Sequence, residues 1–168
     1  MASVQLRPAL PEQVVNLGNW LPDQQAMDLW GGPGFSYPLR PLAFLQQVYL
    51  PETQSYWLMQ QQQAVAFGQL CDRFDRHHLA RLLVAPSKRS QGLGKKLILA
   101  LLQLGLNEQK EKDFSLFVHR HNQRALNCYQ SLGFQFTTQP DIENPSLYFM
   151  TMGQTEARQL VELHHDLA

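Results

Sequence analysis

Apolar positions along the chain fall into short strand-like runs separated by stretches with helical spacing. Val4-Gln5-Leu6-Arg7 alternates and stops at Pro8. Ser55 to Met59 and Ala64 to Cys71 flank the polar Gln60 to Gln63 and read as a hairpin. Leu79 to Val84 and Phe114 to Val118 are apolar runs of strand length, and Phe134 to Thr138 with Leu147 to Met152 make a last pair around the loop Asp141 to Pro145. Three short helices follow the first strand. Pro11-Glu12 opens one with Val14, Val15 and Leu17 on one side, ending near Gly18 to Trp20. Asp23 is placed to cap a second that carries Met27 and Trp30 and is stopped by Gly31-Gly32-Pro33-Gly34. Pro41 begins the third, with Leu42, Leu45 and Tyr49. From Gly92 to Leu104 a Leu- and Ile-rich segment is long enough for a full helix. Asn122 caps another, whose Ala125, Leu126, Tyr129 and Leu132 share a stripe and whose left-handed stop is Gly133. Gly153 to Ala168 reads as a C-terminal helix with Leu160, Val161, Leu163 and Leu167 partly on one face, to be packed on the domain or on a partner chain.

Leu79 to Val84, the long helix and Phe114 to Val118 form a strand–helix–strand unit, so these two strands are expected to be parallel. The fold class is therefore α+β: one domain with a mixed, mostly antiparallel sheet of about seven strands flanked by helices. A length of 168 residues suits one domain with a real core, and neither a repeat nor a second boundary interrupts it.

Composition narrows the functions. Hydrophobic residues at 44% and a mean hydropathy of −0.31 fit a soluble globular protein. Fourteen basic and fourteen acidic residues cancel, leaving no global field to recruit nucleic acid or an acidic membrane, so any anion binding must be local. Cys71 and Cys128 make neither a disulfide framework nor a metal-ligand spacing. No basic start leads into an apolar run at the N-terminus, and the longest apolar run, Leu97 to Leu102, is too short to span a bilayer. A cytoplasmic protein, monomeric or homodimeric, is expected.

The local anion site suggests itself at Ala85 to Gln91, the polar turn between the central strand and its helix. Unpaired N–H groups and the positive end of the helix dipole gather there. Gly92 and Gly94 leave the backbone bare. Lys88, Arg89, Lys95 and Lys96 place four positive charges within nine residues. The turn is not a Walker loop, because Gly94-Lys95 is followed by Lys96, and it lacks the third dinucleotide-binding glycine, since Leu97 stands there.

The string Arg89-Ser90-Gln91-Gly92-Leu93-Gly94 resembles the R/Q-x-x-G-x-G/A signature of the GNAT superfamily of acyl-CoA-dependent N-acyltransferases. Asn122 to Phe134 matches its second hallmark, N-x-x-A-x-x-x-Y-x-x-x-G-F, 28 residues after Gly94 and across one helix and one strand. The resemblance covers Ser55 to Met152; the first fifty residues share only a strand followed by helices. It implies that acetyl-CoA is the cosubstrate and lies in a splay between the two parallel strands. Leu83, Val84 and Ala85 would then offer backbone groups to its pantetheine arm, and Asn122 would hydrogen-bond that arm. The N–H groups of Arg89, Ser90, Gln91, Gly92, Leu93 and Gly94 would hold the pyrophosphate, with Lys88, Arg89 or Lys95 meeting phosphates.

Direct attack by an acceptor amine on the thioester is the implied chemistry, with Tyr129 as proton donor to the departing thiolate. An alkyl amine with a pKa of about 10.4 also needs a base. The family's glutamate position, eight residues before Pro86, is His78, which makes it the candidate; His119 and His121 are lesser ones. His77-His78 and His119-Arg120-His121 have no carboxylate or cysteine at ligand spacing, so no metal is expected. The aromatic stretch from Trp20 to Tyr49 could wall an acceptor pocket. Acidic residues are sparse there beyond Asp23, Asp28 and Glu52, which suits a polycationic antibiotic poorly and leaves a small amine, an amino acid or a peptide N-terminus open. The alternative reading is a non-catalytic acyl-CoA-binding sensor, against which the intact Asn122 and Tyr129 speak.

Overall fold

Two tight turns, Gln61-Gln62 and Phe74-Asp75, have all four residues at positive φ (49°, 65°, 57° and 53°). Two such residues in succession twist a two-residue turn in the same sense as the strands it joins. These turns close successive hairpins in the computed structural model, which describes residues 2–141 and 143–165. The strands are β1 (Val4–Pro8), β2 (Thr53–Gln60), β3 (Gln63–Arg73), β4 (Arg76–Val84), β5 (Phe114–His119), β6 (Gln135–Thr137) and β7 (Leu147–Met152). They form one sheet in the order β1-β2-β3-β4-β5-β7-β6. Every pairing is antiparallel except β4 with β5, as the strand–helix–strand order requires.

The helices are α1 (Pro11–Val14), continued as a 3-10 turn to Trp20, α2 (Gln24–Gly31), α3 (Pro41–Val48), α4 (Leu93–Asn107), α5 (Gln123–Leu132) and α6 (Gln154–Leu163). On one face of the sheet, α4 buries Leu97, Ile98, Leu101 and Leu102 against Leu58, Leu70, Leu79 and Phe114. On the other, α1 to α3 bury Val14, Leu17, Met27, Phe44 and Val48 against Trp57 and Phe67. Helix α6 packs on α4, with Ala157 fully buried and Leu160 and Val161 against the same core. No helix among the described residues is long and apolar enough to cross a membrane.

The differences from the sequence reading are local. Strand β4 begins at Arg76, so His77 and His78 belong to it. In α3 the buried stripe is Phe44 and Val48, whereas Leu42 is 79% exposed. Leu163 is 80% exposed at the end of α6, and Leu167 lies outside the described residues. An isolated amphipathic stripe can be drawn in two registers; the sheet selects the one that meets Trp57 and Phe67.

Candidate active site

A β-bulge shapes the site. Phe67 pairs with Leu83 and Gln69 with Ala80, so Arg81 and Leu82 together oppose Gly68. Arg81 takes φ +50°, a region that non-glycine residues rarely occupy. An extra residue bends its strand and interrupts the ladder. Accordingly β4 and β5 pair only from His77–Phe114 to Leu79–Leu116, and beyond that point they diverge. The open strand edges line two adjoining cavities, one of about 520 Å³ toward α4 and one of about 340 Å³ toward α2.

The larger cavity is a groove floored by Leu82, Leu83 and Val84 and rimmed by Lys88, Arg89, Ser90 and Gly92 to Lys95. The first backbone bond of α4 runs from Lys96 N–H to the Gly92 carbonyl (3.2 Å), so the N–H groups of Leu93, Gly94 and Lys95 have no helical partner. Gly92 sits at φ +74°, where a side chain would be strained. Gly94 is different: a Cβ built there would meet only Val84 Cγ2 at 3.8 Å, an ordinary contact. Packing therefore does not explain glycine at 94, while close approach of a ligand to the backbone does. From across the groove, Arg124 donates to Ser90 Oγ (2.9 Å), fixing the loop and adding a cation that the sequence reading did not single out. Its sign was available in the sequence, two residues after the Asn122 cap and one turn before Cys128 in the second motif. A pyrophosphate-bearing ligand such as acetyl-CoA fits this donor set.

Two of the expected cofactor residues stand apart. Ala85 is buried and its N–H already donates to the Val65 carbonyl (2.9 Å), so it has no donor to give. Gln91 is exposed and does not line the groove. Asn122 accepts from Ala125 N–H (3.2 Å) as the cap of α5, and it borders both cavities.

Tyr129 also borders both. It shares the buried stripe of α5 and packs edge-on to Phe134, with ring centroids 6.2 Å apart. Burial raises the pKa of its phenol above the ordinary 10, with the neighbouring Cys128 adding to the shift, so the hydroxyl keeps its proton at neutral pH.

The smaller cavity lies between the bulge and α2. Trp30 and the Gly31 to Pro33 turn line it, together with Arg73, His78, Arg81, Phe117, His119, Asn144, Ser146 and Leu147. Trp30 is held by its indole N–H donating to the Arg81 carbonyl (2.9 Å) and by stacking on Phe44. Of the aromatic stretch, Trp30 reaches this wall; Trp20 packs on Trp57, and Tyr37 and Tyr49 face solvent. Arg120 braces the far side by donating from Nε to the Leu147 carbonyl (3.1 Å) and pairing with Glu143 (3.6 Å).

His78 is 3% exposed, boxed by Phe74, Phe117 and Phe149, with Nδ1 2.8 Å from Ser115 Oγ. Burial, assisted by Arg73 and Arg81, pushes its pKa down to about 3. Such a ring is a weak proton acceptor near neutral pH; its surroundings fit a neutral histidine that orients the aromatic floor. A stability consequence follows. The unfolded chain protonates this histidine near its ordinary 6.5 and the folded one only near 3, so between those values the unfolded state binds more protons. The contribution of His78 is complete above about pH 6.5 and declines on acidification, by at most about 1.4 kcal/mol per pH unit. His78→Gln, which can still bond Ser115, is expected to show a flatter loss of Tm than the parent from pH 6.5 to 4. Parallel curves for the two proteins would mean that the folded ring is charged.

Among the described residues no group of three or more His, Cys, Asp or Glu side chains is arranged to hold a metal ion. The Acetyltransferase (GNAT) family model matches residues 22–134. An aminoglycoside N(6')-acetyltransferase type 1 from Klebsiella pneumoniae is 26% identical over 93% of this chain and 86% of its own length. Among solved structures, the aminoglycoside acetyltransferase AAC(6')-Ib with paromomycin and acetyl-CoA superposes with a TM-score of 0.74 at 22% identity, covering 94% of this chain and 97% of the other. The spermidine N-acetyltransferase of Vibrio cholerae with CoA and spermine gives 0.73 at 15% identity, covering 93% and 98%. With the splayed parallel pair, the bare helix N-terminus and a family match across two thirds of its length, the chain belongs to the GNAT acetyltransferase family.

Proposed function

We propose that this chain, as one N-acetyltransferase domain with α6 as its C-terminal extension, moves an acetyl group from acetyl-CoA to a primary amine by direct attack in a ternary complex. The observation that carries this reading is that Asn122 and Tyr129 border both the anion-binding groove and the smaller cavity. A donor and an acceptor can thus meet beside one protonated phenol. Acetyl-CoA supplies an activated acyl thioester. The N–H groups of Leu93, Gly94 and Lys95, with Lys88, Arg89 and Arg124, hold its pyrophosphate. The edge of β4 from Leu82 to Val84, left without β5 as a partner, receives the pantetheine amides as a missing strand would, and Asn122 lines the same groove.

As the N–C bond forms and the C–S bond breaks, the amine gives up a proton and Tyr129 donates one to the leaving sulfur. His119 lines the acceptor cavity and is half-buried, which places it better than His78 to take the amine proton. The balanced charge supports a small-molecule or peptide amine over a nucleic acid or membrane surface, and the proposal includes a cytoplasmic setting as monomer or homodimer. The test is a panel of amines with acetyl-CoA, read by released thiol. Thiol release that depends on an amine supports an enzyme. CoA binding with no release for any amine supports the sensor reading instead.

A further inference from the structure

The acceptor cavity is built for the opposite charge to an ordinary polyamine site. Arg73 and Arg81 line it, and among the described residues no Asp or Glu does. Asp23 is engaged as the cap of α2, Asp28 accepts from Gln24, and Glu143 pairs with Arg120. Among the described residues neither Arg73 nor Arg81 has a carboxylate within ion-pair distance.

Arg81 is also deliberately held. Its Nη1 donates to Gln69 Oε1 (3.0 Å), and Gln69, fully buried, is itself fixed by donating to the Val48 carbonyl and to Ser55 Oγ (2.9 Å each). The Nε of Arg81 is buried with no partner. A half-buried guanidinium without a counter-ion carries a desolvation cost, which an anionic ligand group offsets. A ligand bringing several positive charges into the same cavity is repelled instead.

Resting on the amine-acetylation reading above, we propose that the acceptor is a primary amine that also carries a carboxylate, an amino acid being the class that suits a cavity of about 340 Å³, with Arg81 and Arg73 receiving the carboxylate and excluding polycations. Arg81 is then a specificity residue, and its strained backbone at the bulge serves to aim it.

The test compares free amino acids, their carboxamides, spermidine and kanamycin, by thiol release with acetyl-CoA and by calorimetric titration into the CoA-loaded protein. At least one free amino acid is expected to exceed its own carboxamide by about 10²-fold in kcat/KM, and to exceed both polycations. In Arg81→Gln that ratio should collapse through KM, with Arg81→Lys restoring part of it; Arg73→Gln serves where Arg81→Gln melts early. Amino-acid binding without acetyl transfer would keep the carboxylate site and sink the transfer reaction. Preferred turnover of spermidine or kanamycin, or no difference between acid and carboxamide, would overturn the carboxylate site and leave the acetyltransferase standing. A complete lack of amino-acid binding and turnover overturns it as well.

Discussion

Replacing Tyr129 by phenylalanine is expected to lower kcat by about 10²-fold or more while leaving acetyl-CoA affinity close to that of the parent. The ring sits on the buried stripe of α5 beside Phe134, and phenylalanine preserves that packing. Only the hydroxyl is lost, from a residue that borders both cavities. Because burial keeps the phenol protonated, the group is a donor and not a base, so its loss should appear as slower departure of the thiolate. The measurement is steady-state and single-turnover kinetics with one amine, alongside a binding curve for CoA. Turnover near the parent rate, with chemistry shown to limit it, would return Tyr129 to a packing residue and give the proton to solvent.

Gly94→Glu is expected to abolish the rise in Tm that acetyl-CoA or CoA gives the parent. A ligand at 100 times its Kd stabilises the folded state by about 2.7 kcal/mol, a shift that is readily seen. The variant separates binding from folding because position 94 tolerates a Cβ, with Val84 as its nearest neighbour, and because an acidic residue in the first turn of α4 suits the helix dipole. The unliganded protein should therefore melt near the parent. What the glutamate opposes is the pyrophosphate, both in bulk and in charge. An intact CoA-induced shift in a folded Gly94→Glu protein would move the anion site away from this loop.

Much of this was legible in the chain. Seven strands, the parallel pair and the helix caps at Asp23 and Asn122 were visible as runs, crossover order and capping residues, since each is encoded locally. The groove proposed for the cofactor was legible as well, because its donors come from one contiguous turn and one short motif. The acceptor side was not. Arg81 lies in a plain apolar run, Ala80-Arg81-Leu82-Leu83, and nothing in that run announces a bulge; it becomes visible only when β3 is laid beside β4. In the sequence His78 stands just ahead of the apolar run Leu79 to Val84, but the Phe74 turn folds back over it and Phe149 comes from a strand about seventy residues later. Burial produced by distant elements sets its basicity, and no window around His78 contains that information.

The short seam between β4 and β5 has a mechanical meaning. Strands β1 to β4 all precede it in the chain and β5 to β7 all follow it, so the cleft divides the sheet into two consecutive lengths of polypeptide. Their edge-to-edge hydrogen bonding spans three register positions, His77 to Leu79 against Phe114 to Leu116. A molecule lying in the cleft touches Leu82 to Val84 on one side and Asn122 to Tyr129 on the other. It therefore acts as a tie between the two lengths of chain. Amide hydrogen exchange in the seam should slow more on CoA binding than exchange within either half.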